Sequence, residues 1–293
     1  MVTEATMSCE KYLPMFVNSI PHSGTHLVSS ILDGLGYRHD ELRNRFYSQR
    51  PYYRRWQRTG INWRTATDLK NYCHPFSKSV LVGVTSPRPA RTPILRALLS
   101  RPRSGTYVIG HLPYSEAAEA IVASTVVRTI TIVRDPRDMA LSMLSHVSSR
   151  PSHHAHEYLM KIQKSDSERL ESILFGYAAK SGSLLGINTI YRSMLNWSKD
   201  DTNLLVRFED LVGDRGGGDD AQMIETISSI VEHVRWEKEG PLPDLSALGA
   251  NAFGKTTTFR SGQVGKWRGA FDAETKALYQ ENCKDLLIEL GYL

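Results

Sequence analysis

The sequence has few cysteines and no long apolar stretch. Its three cysteines, Cys9, Cys73 and Cys283, are far apart and odd in number, and so form neither a disulfide framework nor a zinc-site spacing. No apolar run approaches the roughly 18 residues needed to cross a bilayer. Residues 1–13 carry charges and lack the apolar core of a secretory signal. We therefore expect a protein of the reducing cytoplasm, without a membrane partner.

One long segment is poor in acidic residues. Residues 38–103 contain 15 Lys or Arg against 3 Asp or Glu, although the 293-residue chain as a whole carries only +5. Such a segment can attract an anionic ligand, or it can be a solvated, arginine-rich surface. No zinc-finger, RNP or homeodomain pattern is present, so no nucleic acid partner is expected.

Near the N-terminus, the sequence predicts a strand, a tight loop and the start of a helix. Residues 15–20 are mostly apolar, residues 21–24 contain Pro, Ser and Gly, and a helical apolar face follows at Leu27, Val28, Ile31, Leu32 and Leu35. The free amides of such a loop, with the helix dipole behind them, attract an anion. Gly24 allows close approach of a ligand, and Ser23 and Thr25 add hydroxyl groups. The sequence therefore predicts a phosphate-binding loop.

This loop lacks the lysine of nucleoside triphosphate-binding loops. Their pattern is G-x-x-x-x-G-K-[ST], but here no glycine opens the loop and Thr25 follows Gly24. A small-molecule or nucleotide kinase would need that lysine and a Mg²⁺-binding acid at a strand end. A kinase and a nucleotide-binding module without catalysis both stay open as alternatives.

Two further polar positions follow predicted strands. The strand 106–110 ends at His111, and ligands bind at the carboxyl ends of parallel strands. The β-branched strand 126–133 runs into Arg134, and Ser142 follows eight residues later, about two helical turns on.

Together these motifs resemble the soluble sulfotransferase family. The stretch Pro21-His22-Ser23-Gly24-Thr25-His26 is similar to its 5′-phosphosulfate loop P-K-S-G-T-[TH], with His in place of Lys. His111-Leu112-Pro113 resembles the strand-end motif that carries the catalytic base, and residues 134–142 resemble the 3′-phosphate motif R-[DN]-P-[KR]-D-x-x-x-S. Residues 207–211 resemble R-[YF]-E-D-[LM], and residues 259–271 resemble F-R-K-G-x-x-G-x-W-x-x-x-F, with Ser261 in place of Lys.

The resemblance implies a single α/β domain over residues 1–293, with a central parallel sheet flanked by helices and a P-loop-like sulfotransferase fold. It implies sulfuryl transfer from 3′-phosphoadenosine-5′-phosphosulfate (PAPS) to a hydroxyl or amine of a small-molecule acceptor, leaving 3′,5′-adenosine bisphosphate (PAP), with no metal ion. The catalytic residues implied are His111, as general base, and His22. The cofactor-binding residues implied are His22, Ser23, Gly24, Thr25, His26, Arg134, Ser142, Phe208, Arg260, Ser261 and Gly262.

His22 is the main departure from the family pattern. A lysine at this position is a permanent cation, whereas His22 must either be protonated or donate a neutral N–H. A nearby phosphate favours the protonated form. We therefore expect activity to fall toward alkaline pH, and a His22→Lys substitution to flatten that limb of the profile.

Other segments give weaker signals. The basic, aromatic residues 38–105 are interpreted as an insertion over the active site or as a packed side cluster. Residues 168–180 and 184–197 predict two amphipathic helices. His153, His154 and His156 lie close together without a carboxylate or Cys at metal-ligand spacing, which favours a loop at the substrate entrance over a metal site. Neither the acceptor nor the oligomeric state can be deduced from the sequence.

Overall fold

The computed structural model describes residues 12–40, 78–125, 128–199, 201–235, 243–254 and 262–293, and the structural statements below concern these residues. In chain order the strands are β1 (Met15–Ser19), β2 (Arg38–His39), β3 (Ser79–Val82), β4 (Arg88–Arg91), β5 (Thr106–Gly110), β6 (Arg128–Val133), β7 (Gly176–Ala179), β8 (Gly182–Leu185) and β9 (Asn203–Arg207). The helices described are α1 (Thr25–Gly34), α2 (Thr92–Leu99), α3 (Glu116–Thr125), α4 (Pro136–Ser148), α5 (Asp166–Phe175), α6 (Ile187–Leu195), α7 (Asp220–Val234), α8 (Leu245–Ala252), α9 (Trp267–Ala270), α10 (Ala273–Asn282) and α11 (Lys284–Glu289).

Five strands form a parallel sheet in the order β2-β5-β1-β6-β9. β1 is central, and its two neighbours come later in the chain on opposite sides of it. The crevice between such neighbours, outside the carboxyl ends of the strands, is where open α/β sheets bind ligands. The register brings these ends together, since Asn18 pairs with Gly110 and Ser19 with Ile132.

Both faces of the sheet are buried, because successive side chains of a strand point to opposite faces. Phe16 of β1 packs in one apolar cluster with residues of α2 to α6 and the C-terminal helices. Met15 and Val17 pack in the other cluster, with α1, α7 and α8. β6 shows this burial on both faces, because five of its six residues are buried and its threonines and isoleucines alternate between the two faces. The predicted fold class, an α/β domain with a parallel sheet between helices, is confirmed.

The prediction of two helices over 168–180 and 184–197 was wrong in part. α5 ends at Phe175, and Gly176 and Gly182 adopt positive φ values of 78° and 145°. They open and turn the antiparallel hairpin β7–β8, in which Gly176 pairs with Leu185. A Cβ on Gly176 would lie 2.5 Å from the amide nitrogen of Gly186, so the hairpin needs glycine there.

Residues 79–91 form a second antiparallel hairpin, β3–β4. The two-turn helix α2 directly follows β4. Within the described ranges, no helix combines the length and apolar character that crossing a bilayer requires.

Candidate active site

The predicted phosphate loop joins β1 to α1 at the carboxyl edge of the sheet. Gly24 is the N-cap of α1 in the left-handed conformation, with φ 99°. His22 also has a positive φ, 71°, which is uncommon for a residue with a Cβ. Ser23 between them is fully buried, and its Oγ has no hydrogen-bond partner among the described residues. The loop therefore presents a desolvated hydroxyl and the amides of a helix start, a combination suited to an anion.

Hydrogen bonds connect this loop to His111, which directly follows β5. Ser19 Oγ lies 2.7 Å from Thr25 Oγ1 and 3.1 Å from His111 Nδ1. His111 Nδ1 is also 2.6 Å from the carbonyl oxygen of Ser19. Because a backbone carbonyl only accepts, this contact assigns the proton to Nδ1 and leaves Nε2 with its lone pair.

The backbone around His111 is held from three sides. Asn18 accepts from the Leu112 amide at 2.8 Å and donates to the Leu112 carbonyl at 3.0 Å. Trp197 Nε1 donates to the same carbonyl at 2.8 Å, and the Gly83 amide donates to the His111 carbonyl at 2.8 Å. Such bonds fix the imidazole in position on rigid elements. Burial lowers the pKa of His111, the bond to Ser19 opposes that shift and His26 adds to it.

Arg134 links three separate parts of the chain. Its guanidinium donates to the carbonyl of His22 at 3.5 Å and to that of Gln263 at 2.9 Å, and it lies 4.3 Å from the ring centroid of Phe208. Nε is buried without a partner among the described residues. Tyr191 fixes the Arg134 backbone by donating to its carbonyl at 2.6 Å. A cationic group is thus held between the loop and the C-terminal segment.

Phe208 packs directly on the phosphate loop. A Cβ on Gly24 would lie 2.5 Å from Phe208 Cδ2, so the ring occupies the space that a side chain at residue 24 would fill. Ser142 lies two turns along α4 from Arg134 and is half-buried, while His26 is exposed in the first turn of α1. The loop, His111, Arg134 and Phe208 therefore lie together at the sheet edge.

Sequence reasoning missed the role of Asp138 on α4. Its carboxylate is almost fully buried and accepts from the amide of Gly265 at 2.6 Å and from that of Trp267 at 3.0 Å. Burial raises the pKa of Asp138, while the two amides and Arg134 oppose the shift. The sequence carried one signal for this role. Asp138 belongs to the charged run Arg-Asp-Pro-Arg-Asp, and the sequence patterns suggest no partner for its carboxylate.

Asp138 bonds the described part of the last predicted motif, at Gly265 and Trp267. Gly262 has φ 60°, and the amide of Val264 donates to the Gly216 carbonyl at 3.0 Å. Arg260 and Ser261, the other predicted ligands of this motif, lie outside the described residues.

The predicted entrance histidines form a line of rings with His22. The ring centroids of His22 and His146 are 4.6 Å apart, those of His146 and His153 5.5 Å, and those of His153 and His154 4.4 Å. Sequence analysis did not single out His146, because it lies on α4 at a distance from the 153–156 cluster. Among the residues with described positions, no group of three or more His, Cys, Asp or Glu could hold a metal ion.

The electrostatics of His22 differ from the expectation of a protonated group. Burial is the largest cause that lowers the pKa of His22 well below its ordinary value. Its charged neighbours lower it further, in the order His146, His111, His153 and Arg134. Without a bound anion, His22 is neutral at pH 7.

The described part of the basic segment lies in two places. β3–β4 reaches the site through the bond from Gly83 to His111. In contrast, Arg38, Arg101 and Arg103 line a cavity of about 730 Å³ beside Thr106, at the start of β5 and so at the opposite end of that strand from His111. Arg101 there is paired with Asp40 at 3.2 Å.

The fold and site together define an α/β protein that can hold a phosphate-bearing ligand beside a histidine. Comparison with known proteins gives the family. Residues 14–218 match the family described as “Sulfotransferase domain”, and the chain therefore belongs to the sulfotransferases. The family predicted from the sequence motifs is confirmed.

Solved structures share this fold. A mouse sulfotransferase, SULT7A1, complexed with PAP, is 15% identical with a TM-score of 0.55, over 93% of this chain and 84% of the other. Retinol dehydratase, in complex with androsterone and PAP, is 18% identical with a TM-score of 0.54, over 93% of this chain and 80% of the other. No curated protein sequence matches the chain.

Proposed function

We propose that this sulfotransferase moves the sulfuryl group of PAPS to a hydroxyl or amine of a small molecule, with His111 as the general base. Membership of the family and the PAP in both structural neighbours support the cofactor. The observation that carries the mechanism is the bond from His111 Nδ1 to the Ser19 carbonyl, which leaves Nε2 free to take a proton. Since burial lowers the pKa of His111, the imidazole is neutral and basic at pH 7.

The residues present fit a ligand with two phosphate groups. The orphaned Ser23 Oγ and Arg134 Nε are buried polar groups, and such groups normally have partners. We assign the 5′-phosphate to Ser23, Thr25, His26 and the amides of the loop that Gly24 caps. We assign the 3′-phosphate to Arg134 and Ser142, with the segment Arg260-Ser261-Gly262, and a nucleotide contact to Phe208.

The residues of this chain would assist the reaction at two atoms, the attacking atom of the acceptor and the leaving oxygen of the 5′-phosphate. An S–O or S–N bond to the acceptor forms while the bond from sulfur to the 5′-phosphate oxygen breaks, and PAPS supplies that sulfuryl group. His111 Nε2 receives the acceptor's proton, so the acceptor attacks as a stronger nucleophile. The loop amides and His22 stabilise the negative charge that develops on the leaving oxygen. Because these groups and Arg134 supply the positive potential, we propose that no metal ion takes part.

The first experiment is calorimetric binding of PAP, compared with ATP and Mg²⁺. We expect tight binding of PAP and weak binding of ATP. A preference for ATP would favour the kinase alternative and overturn the assignment of Arg134 and the loop. Transfer assays then test His111→Gln, whose side-chain amide can still donate an N–H but is not a titratable base. If His111→Gln transfers sulfate at the wild-type rate, His111 is not the base, and a silent nucleotide-binding module would show no transfer in either protein. A cytoplasmic location is proposed as well, and is tested by cell fractionation.

A further inference from the structure

The family's loop lysine supplies a positive charge beside the leaving oxygen, and here His22 stands in its position. A neutral imidazole can donate an N–H to that oxygen but brings no charge. The structure must therefore either charge His22 or place a cation close behind it. The geometry around His22 and His146 distinguishes these two arrangements.

His22 is a poor site for a proton. Its backbone carbonyl accepts from Arg134 at 3.5 Å, so a permanent guanidinium cation lies beside it. The ring is partly buried, and His111 and His153 add further positive potential whenever they are protonated. Burial and these neighbours lower the pKa of His22 together. Like charges so close in a partly desolvated site repel each other, and this repulsion disfavours the protonated form of His22.

His146 has a better position for a proton. It lies in the last turn of α4, where the helix dipole places partial negative charge, and His156 and Arg150 lie at the same helix end. Its ring contacts that of His22, with centroids 4.6 Å apart and planes 58° from parallel, and on the other side it meets His153 at 5.5 Å. The same helix begins two residues after Arg134, so its position relative to the loop is fixed at both ends.

We propose that His146 carries the proton of this site, while His22 stays neutral and donates an N–H to the leaving oxygen. This inference rests on the proposed function and adds a residue to it. His146 is a positioning residue, which orients His22 by ring contact and places a positive charge behind it. Binding of a phosphate-bearing ligand then brings a proton to His146, because the anion stabilises the imidazolium.

The experiment measures proton uptake on binding. PAP is titrated calorimetrically at pH 7 in two buffers of different ionisation enthalpy, and the difference in heat gives the number of protons taken up. Ligand phosphates contribute equally in all variants. We expect wild type to take up about half a proton more than His146→Phe, because a phenylalanine ring cannot bind a proton. If His146→Phe does not fold, the same proton uptake is measured with His146→Gln, whose side chain is polar and smaller.

The other variants separate the two histidines. His22→Gln should keep the wild-type uptake with weaker binding, whereas His146→Lys should abolish uptake and keep binding tight at pH 9, where wild type weakens. His233→Gln is the matched control, because this half-buried imidazole also bonds a backbone carbonyl, Thr129 at 2.9 Å, but lies on α7. Its uptake should equal that of wild type.

The outcomes distinguish this inference from the proposed function. Uptake that disappears in His22→Gln and persists in His146→Phe makes His22 the proton carrier and overturns the inference alone. Equal uptake in all variants also overturns it. If wild-type protein does not bind PAP, the proposed function is wrong and the inference is wrong with it.

Discussion

Replacing Asp138 with alanine should weaken PAP binding about a hundredfold. The change leaves the amides of Gly265 and Trp267 without the carboxylate that accepts from them at 2.6 and 3.0 Å. A hydrogen bond to a charged group contributes about 1.5–3 kcal/mol, so two lost bonds remove about 3 kcal/mol at the lower end. The segment after Gly262 then leaves α4 more easily, and binding must supply the energy that orders it. At 1.4 kcal/mol per tenfold change, about 3 kcal/mol is a factor of about a hundred in Kd.

Calorimetry with PAP gives the Kd, and urea unfolding gives the free energy of unfolding in the same preparation. Asp138→Asn keeps one acceptor oxygen, so its Kd for PAP should lie between those of wild type and Asp138→Ala. The matched control is Asp219→Ala, which removes another carboxylate that accepts from a backbone amide, that of Gln222 at 2.8 Å, at the start of α7. Its Kd for PAP should not change. If Asp138→Ala binds PAP within about threefold of wild type, the carboxylate does not position the C-terminal ligands.

Three further predictions concern the loop and the base. Gly24→Ala should lower the free energy of unfolding by about 1–3 kcal/mol in urea, because its Cβ would lie 2.5 Å from Phe208 and φ is 99°. Gly36→Ala, with φ 91° and open space, should show only the smaller backbone cost. His111→Gln should reduce turnover by about 10²–10⁴ while the Kd for PAP stays within about threefold. In wild type, burial lowers the pKa of His111, so the acid limb of kcat/KM should fall below pH 6.5; a limb at or above 6.5 would contradict this. His22→Lys should hold turnover constant between pH 7 and 9, where wild type declines, and a profile parallel to wild type would remove residue 22 from stabilising the leaving oxygen.

Local patterns predicted most of the sheet. Apolar or β-branched runs predicted β1, β5 and β6, because strands buried on both faces favour such residues. The order of the strands does not follow from these patterns. It depends on which buried faces meet, and neither the patterns nor the family resemblance predicted it. The error at residues 176–185 has the same cause, because Gly176 packs against Gly186 and Gly182 against His154.

At the site, sequence placed the residues that follow strands and missed those that act through contacts distant in the chain. His111, Arg134 and the loop are neighbours because parallel strands end at one edge. Asp138 and His146 lie on a helix already assigned to phosphate binding, but their partners are 127 residues ahead and 124 residues back in the chain. The periodic pattern of apolar residues along a helix or strand cannot reveal a contact between residues so far apart in the chain.

These contacts between residues distant in the chain explain how the site can supply positive charge without a loop lysine. A flexible lysine brings its own charge wherever its side chain can reach. A histidine loses its charge when it is buried beside Arg134, so the positive potential must come from elsewhere. α4 offers it at both ends, with the Arg134 guanidinium before its first turn and His146 in its last. One rigid helix can therefore supply the charge that the loop no longer has, and the proton that His146 binds makes this charge depend on pH.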